Sequence, residues 1–342
     1  MIKKIICISI LTGAPWFLHA QNFDELHEKI TRLEAEIINL EQDGKLRSLR
    51  NAYFSLGELY MGDNLYDKAA QVFEQALELK PGKKLLKRLY PLIGRSYEEL
   101  KEYEKAIPFY EKTCELTPKS SICQVDLART YQLVELYDQS LAHYSYALER
   151  DKENAEAYEG IGMIYQKQGL FDKAIKNYEI SLEFNPGNDA VFISLSKIYE
   201  RLNQLDLAID MQNSAIKVLP SVERYVRLGF LHSLRKDYDS ALTYFSHAKE
   251  LDPNQDEIYL HIGVTAYKKG ALDTAKQALD KAVSLNPQNA LGYFYQSLVA
   301  YKSGDITAAI KAADQAHACA QTQMLSRYTM QLLDKLKTIS TR

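Results

Sequence analysis

Between residues 50 and 321, apolar positions recur at helical spacing in paired runs, and each pair predicts two amphipathic helices, A and B. The pairs align with one another from Arg50, Lys87, Ser121, Ala155, Asp189, Val222, Asp256 and Ala290, at steps of 37, 34, 34, 34, 33, 34 and 34 residues. Helix A carries an aromatic at its fourth position: Tyr53, Tyr90, Tyr158, Phe192, Tyr225, Tyr259 and Tyr293, with Gln124 the exception. A small residue follows four later, at Gly57, Gly94, Ala128, Gly162, Ser196, Gly229, Gly263 and Ser297. Next comes Tyr60, Tyr97, Tyr131, Tyr165 or Tyr199, replaced by His232, Ala266 and Ala300 in the last three pairs. Helix B has its own small residues at Ala69, Ala106, Ser140, Ala174, Ala208, Ala241, Ala275 and Ala309, and a second series two turns later from Ala76 to Ala316. Six pairs close on proline: Pro81, Pro118, Pro186, Pro220, Pro253 and Pro287.

Two helices approach to the short end of the usual ~8–10 Å separation only where side chains are small. Large aromatics then fill the wedge between hairpins, and proline stops helix B. The small, aromatic and proline positions at this period resemble the tetratricopeptide repeat, TPR, a 34-residue helix–turn–helix unit. That resemblance covers residues 50–321 and implies an all-α fold, a right-handed superhelical α-solenoid of about eight hairpins. The expected units are 50–83, 87–120, 121–154, 155–188, 189–221, 222–255, 256–289 and 290–321. Two irregularities stand out. The first step is three residues long around Lys80–Lys84, and Pro91 falls inside helix A of the second unit, where it should kink or delay the helix. Gln321 replaces the last proline, leaving the final helix B without a strong stop.

The flanks read differently. Residues 1–20 have the form of a cleavable signal peptide, with Lys3 and Lys4, an apolar run from Ile5 to Leu11, and a small residue at Ala20 before the cut. A periplasmic or secreted chain follows from that reading. Within residues 21–44, Phe23, Leu26, Ile30, Leu33, Ile37 and Leu40 step by three and four. This is the seam of a short coiled coil between copies, or of a single helix folded back on the first unit, and the sequence leaves both open. Residues 322–338, with Leu325, Tyr328, Leu332 and Leu336, predict a C-terminal capping helix, as repeat arrays need. The layout of leader, short coiled coil and repeats resembles that of the periplasmic cell-division coordinator family.

Composition adds exclusions. The formal charge is −3, or −5 once Lys3 and Lys4 leave with the leader, which lacks the basic footprint of a nucleic-acid binder. The histidines after the leader, His27, His143, His232, His247, His261 and His317, show no metal-ligand spacing, and no phosphate loop or nucleophile elbow occurs. The reading is therefore non-catalytic, with no cofactor and no metal. Cys114 and Cys123 fall near the end of one helix and the start of the next, which permits a disulfide or two small apolar residues in an interface. In TPR proteins helix A lines the concave face. The corresponding positions of the later units are apolar: Ile193, Val226, Phe230, Leu260, Val264, Tyr267, Phe294, Leu298 and Tyr301. Those of the earlier units are polar, Arg95, Arg129 and Glu159 among them. The carboxylate clamp known in the family needs a basic fifth position. Here that position holds Phe54, Pro91, Val125, Glu159, Ile193, Val226, Leu260 and Phe294, so the clamp is absent. The expected function is an envelope scaffold or adaptor holding a protein or peptide segment in the apolar groove. Two alternatives stand beside it: an oligomeric organiser joined through residues 23–40, or a regulator associated with cell-wall or envelope enzymes.

Overall fold

The structure, a computed structural model, describes residues 16–340, with side chains from Glu25 onward. Most of the leader-like stretch 1–20, including its charged and apolar regions, lies outside the described residues. The described residues form eighteen helices and no strand. The chain divides into two compact units, residues 1–177 and 178–342. The first holds α1 (Trp16–Gln42), α2 (Leu46–Gly62), α3 (Tyr66–Glu78), α4 (Lys83–Glu99), α5 (Tyr103–Leu116), α6 (Ser121–Leu133), α7 (Tyr137–Arg150) and α8 (Ala155–Lys167). Helix α9 (Phe171–Phe184) crosses the boundary. The second holds α10 (Asp189–Arg201), α11 (Leu205–Val218), α12 (Val222–Leu234), α13 (Tyr238–Leu251), α14 (Asp256–Lys269), α15 (Leu272–Leu285), α16 (Ala290–Lys302), α17 (Ile306–Ala318) and α18 (Gln323–Ser340). Within each unit, helices adjacent in sequence pack as antiparallel hairpins, the all-α architecture of a solenoid.

The small residues set how closely the two helices of a hairpin lie. A methyl group built on Gly57 would stand 2.3 Å from the ring of Phe73, and one on Gly229 would stand 2.7 Å from Phe245. Both rings come from helix B, four residues after its first small position, and both are buried. Where serine occupies a crossing point, its hydroxyl donates to the carbonyl opposite: Ser140 to Ala128 at 2.7 Å, Ser196 to Ala208 at 2.9 Å and Ser297 to Ala309 at 2.8 Å. These bonds satisfy polar groups in a dry contact, so serine substitutes for glycine or alanine there. Alanines from both helix-B series (Ala69, Ala76, Ala241, Ala248, Ala309 and Ala316 among them) are wholly buried.

The A-to-B turns repeat as strictly as the helices. Asn64, Lys101, Glu135, Gly169, Asn203, Lys236, Gly270 and Gly304 all have positive φ. One left-handed residue after each helix A reverses the chain and ends the helix. Lysine and glutamate hold that conformation at three of the turns, against the ordinary preference for glycine, because the packed hairpin dictates it.

Tyrosines of helix A reach back to the preceding helix. Tyr97 donates to Glu74 on α3 at 2.7 Å, and Tyr131 donates to Glu111 on α5 at 2.8 Å. The same bond ties Tyr60 to Glu34 on α1. So α1 stands to the first hairpin as a helix B stands to the next. Ile30 and Ile37 are buried against that hairpin, with Leu26, Leu33 and Leu40 packed beside them, and Tyr53 adds a bond to Glu41. Of the two readings of the seam, the structure shows the helix folded back. Burying the two isoleucines contributes about 1.5–3 kcal/mol each by surface transfer.

The far end closes in the same way. Helix α18 packs on α17 through Leu332, Leu333 and Leu336. Thr329 is buried in the same stripe, whereas Tyr328 is turned outward at 50% exposure, contrary to its place in the expected stripe. The true period of 3.6 selects Thr329 instead, its hydroxyl donating to Leu325 O at 3.0 Å. Helix α17 ends without proline, and Thr322 accepts a bond from the Leu325 amide to start α18. Helix α4 corrects another expectation. It is not delayed but begins early, at Lys83, and runs through Pro91. The three extra residues extend its first turn. Proline removes one backbone bond, and the burial of Leu89 and Ile93 on either side holds the helix through the gap.

Two outcomes follow. Gly57→Ala should lower stability by about 1–3 kcal/mol through overpacking against Phe73, read as a lower urea midpoint, and Phe73→Leu in the same chain should recover part of the loss. An unchanged midpoint would contradict the close crossing. The second concerns alkaline pH. Burial first, and the bond to glutamate second, push Tyr97 and Tyr131 up to about 12. An unfolded tyrosine ionises near 10. The phenols' contribution is therefore whole below pH about 10 and lost as pH rises through about 12. Thermal melts should show a midpoint that holds to pH about 10 and then falls, more shallowly in the Tyr97→Phe, Tyr131→Phe variant.

Candidate protein-binding face

In the second unit the A helices carry two apolar faces. One is core: Leu195 and Ile198 of α10, Leu228 and Leu231 of α12, Ile258 and Ala266 of α14, and Val299 of α16 are buried. The other holds the residues expected to line a groove. Ile193, Val226, Leu260, Val264, Tyr267, Phe294, Leu298 and Tyr301 are half-buried, and Phe230 is 37% exposed. A helix with apolar residues on both sides has one set that hairpin packing cannot absorb. That surplus leaves an apolar surface partly open to solvent on this side of the A helices.

The nine are not gathered equally. A hollow of about 320 Å³ between α12 and α14 takes in Val226 and Phe230 alone among them, with Val222, Glu223, Arg227, Gln255, Glu257 and His261. Tyr267 lies edge-on to Tyr295 at 5.7 Å, under the ammonium of Lys302 at 4.2 Å. Tyr301 packs toward α17 and α18, with Lys335 5.3 Å from its ring centroid. The C-terminal helix therefore reaches the edge of this face at Tyr301, while Val226, Phe230, Leu260 and Val264 remain half-open.

Four contributors to the hollow escaped sequence reasoning. Glu223 and Glu257 occupy the second position of their helices, so their signal was available. Arg227 and His261 fall outside the face-lining positions and carried none. Arg227 lies 5.6 Å from the Phe230 centroid and is ion-paired with Glu200. His261 stacks on Phe245 at 5.3 Å, and burial holds its pKa below the usual value.

The polar residues of the first unit behave differently from one another. Arg95 is exposed, and Glu159 is half-buried. Arg129 is engaged by three carboxylates of its own chain: Glu98 at 2.9 Å, Asp126 at 2.9 Å and Glu156 at 2.8 Å. Tyr110 donates to the same Glu98 at 2.7 Å. Burial opposes the guanidinium charge, and the bond and charge of Glu98 with the charges of Asp126 and Glu156 together outweigh it, so its pKa rises. Burial raises the Asp126 carboxyl against the pull of Arg129. A guanidinium surrounded this way joins α4, α6 and α8 and has little left for a ligand.

Cys114 and Cys123 are brought together. Both are buried free thiols beneath the α5–α6 turn, near enough to influence each other's ionisation, and Cys123 donates to Ser120 O at 3.3 Å. The neighbouring Cys123 thiol, with burial adding to it, raises the Cys114 pKa, and the Cys114 thiol lowers that of Cys123. His232 and His261 do not form a site. His232 stacks on Tyr244 and bonds Asp237 at 3.0 Å. Among the described residues no group of histidine, cysteine and carboxylate side chains is placed to hold a metal ion, and no helix is long and apolar enough to cross a membrane.

Comparison with known proteins follows the same lines. Family models described as tetratricopeptide repeat match residues 50–83, 88–120, 155–188 and 234–296, and none of them is catalytic. No curated protein matches the chain. Among solved structures, YrrB, described as a TPR protein with an unusual peptide-binding site, is 20% identical, with 55% of this chain and 97% of that chain covered at a TM-score of 0.47. The MamA protein is 24% identical over 49% of this chain and 92% of that one, at a TM-score of 0.46. PilW, described as a widely conserved type IV pilus biogenesis factor, is 20% identical over 61% and 97%, at 0.47. With four matched stretches, and hairpins crossing at the small positions of the repeat, the chain contains tetratricopeptide repeats.

Proposed function

We propose that this chain is a non-catalytic adaptor that holds a segment of a partner protein on the A-helix face of its second unit. The observation that carries the reading is Phe230, a large aromatic left exposed at the mouth of a hollow, with Val226, Leu260 and Val264 half-open around it. Their common face suits an amphipathic helix or an extended apolar segment, whose side chains would enter between α12 and α14. Arg227, Glu223 and Glu257 border the hollow and would fix direction and register, while the apolar centre supplies affinity. An envelope location is part of the proposal, on the strength of the leader-like residues 1–20.

The test is crosslinked capture from the native envelope, comparing the full chain with Phe230→Glu, Val264→Glu. Phe230 is exposed and Val264 half-open, so helicity should be unchanged. Charge placed in an apolar contact should reduce recovery of a true ligand at least about tenfold. Equal recovery by both baits would remove the face from consideration. Loss of helicity in the variant would place both residues in the core and overturn the reading too.

A further inference from the structure

A second surface lies in the first unit, independent of the apolar face, and its character is electrostatic. Residues 44–57 and 79–97 together hold nine lysines and arginines and no aspartate or glutamate, in a chain whose formal charge is −3. These stretches span most of α2 and α4, the A helices of consecutive hairpins, with the residues that lead into each. Between them is a hollow of about 310 Å³ whose lining includes Arg47, Arg50, Lys84, Arg88 and Leu85. The charges on its wall are largely uncompensated. Arg47 and Lys84 are exposed and make no ion pair among the described residues. Arg50 donates only to backbone carbonyls, to Lys80 O at 3.0 Å and Leu79 O at 3.4 Å. The carboxylates that do pair nearby, Glu58 with Arg88 at 3.1 Å and Asp43 with Lys45 at 2.7 Å, are themselves largely exposed. Such pairs are weak and exchange partners readily.

The hollow also has an apolar component. Leu85 lines it, and the guanidinium of Arg88 lies 4.3 Å from the centroid of the Phe54 ring. Four cations around a recess with an apolar floor would recognise carboxylates carried on a chain that also offers an apolar side chain. A flat bilayer surface cannot enter a recess between two helices, whereas an extended peptide can. We infer that this hollow docks an acidic peptide segment of a partner protein, with glutamate or aspartate side chains bridging Arg47 and Lys84 and an apolar residue resting on Leu85.

The probe is a fluorescein-labelled peptide of about ten residues rich in glutamate with interspersed leucine, beside a counterpart with every glutamate replaced by glutamine. Binding to the full chain is read by fluorescence anisotropy. The acidic peptide should bind, the glutamine peptide should bind at least about tenfold more weakly, and affinity should fall as salt rises. Arg47→Glu, Lys84→Glu should weaken the acidic peptide at least about tenfold, and the charge-neutral Arg47→Gln, Lys84→Gln should do so by less. Neither side chain bonds within the fold, so helicity should persist in both, while Phe230→Glu should leave the affinity unchanged. Equal binding of the two peptides, or binding indifferent to the double variants, overturns the inference. So does cosedimentation of the chain with phosphatidylglycerol vesicles while the acidic peptide fails to bind, which would assign the patch to a membrane surface.

Discussion

The closeness of the two helices in each hairpin is the constraint on which the remaining structure depends. At Gly57 there is no room for a methyl group beside Phe73, and at Gly229 none beside Phe245. Once the helices lie this near, their relative rotation is fixed, and with it the side of helix A turned toward the core. The serine-to-carbonyl bonds at Ser140, Ser196 and Ser297 show the same crossing made with a polar residue, whose hydroxyl finds its partner at the point of contact. Repeating one crossing makes the left-handed turn residue repeat as well, so that even Lys101 and Glu135 take positive φ. Local preference yields there to packing.

A fixed rotation leaves one side of each A helix unused by the hairpin, and that free side is where the two units differ. In the first, its positions are charged and partly answered by the chain's own groups, with Arg129 clasped by Glu98, Asp126 and Glu156. Upstream, around Arg47 and Lys84, the charge has no such answer. In the second unit the free side is apolar, and the same scaffold exposes Phe230 and half-exposes Val226 and Leu260. One backbone solution thus supports an electrostatic surface and a hydrophobic one, without altering the residues that hold the hairpins together.

Stacked hairpins would leave apolar surface at either end, and the chain closes both ends with its own helices. Helix α1 imitates a preceding helix B so closely that Tyr60 finds in Glu34 the partner that Tyr97 finds in Glu74. Helix α18 lies on α17 by the rule that places each helix A on the helix B before it. Because Ile30 and Ile37 are buried in the first of these contacts, the α1 seam packs into the chain's own core.

Fold class was legible in the sequence because the crossing demands particular residue sizes at particular spacings, and a demand repeated every 34 residues cannot be missed. The small residues, the tyrosines and the apolar surplus on α12, α14 and α16 could all be read directly. Several matters required the tertiary structure. Periodicity gives a seam but not what it meets, so the fold-back of α1 was undetermined until its partners were placed. Charge gives a residue's type but not its neighbours, so Arg129, read as a surface group, proved to be held by carboxylates from two other helices. The aromatic knobs of helix B, Phe73 and Phe245, carry no signal of their own in the sequence, because their role exists only opposite Gly57 and Gly229 of helix A. Pro91 was judged by its local cost, one lost backbone bond, whereas the helix is retained by side chains packed on either side. Sequence determines what recurs along the chain and is enforced by size. Which groups distant in sequence come into contact is settled only when the helices have stacked.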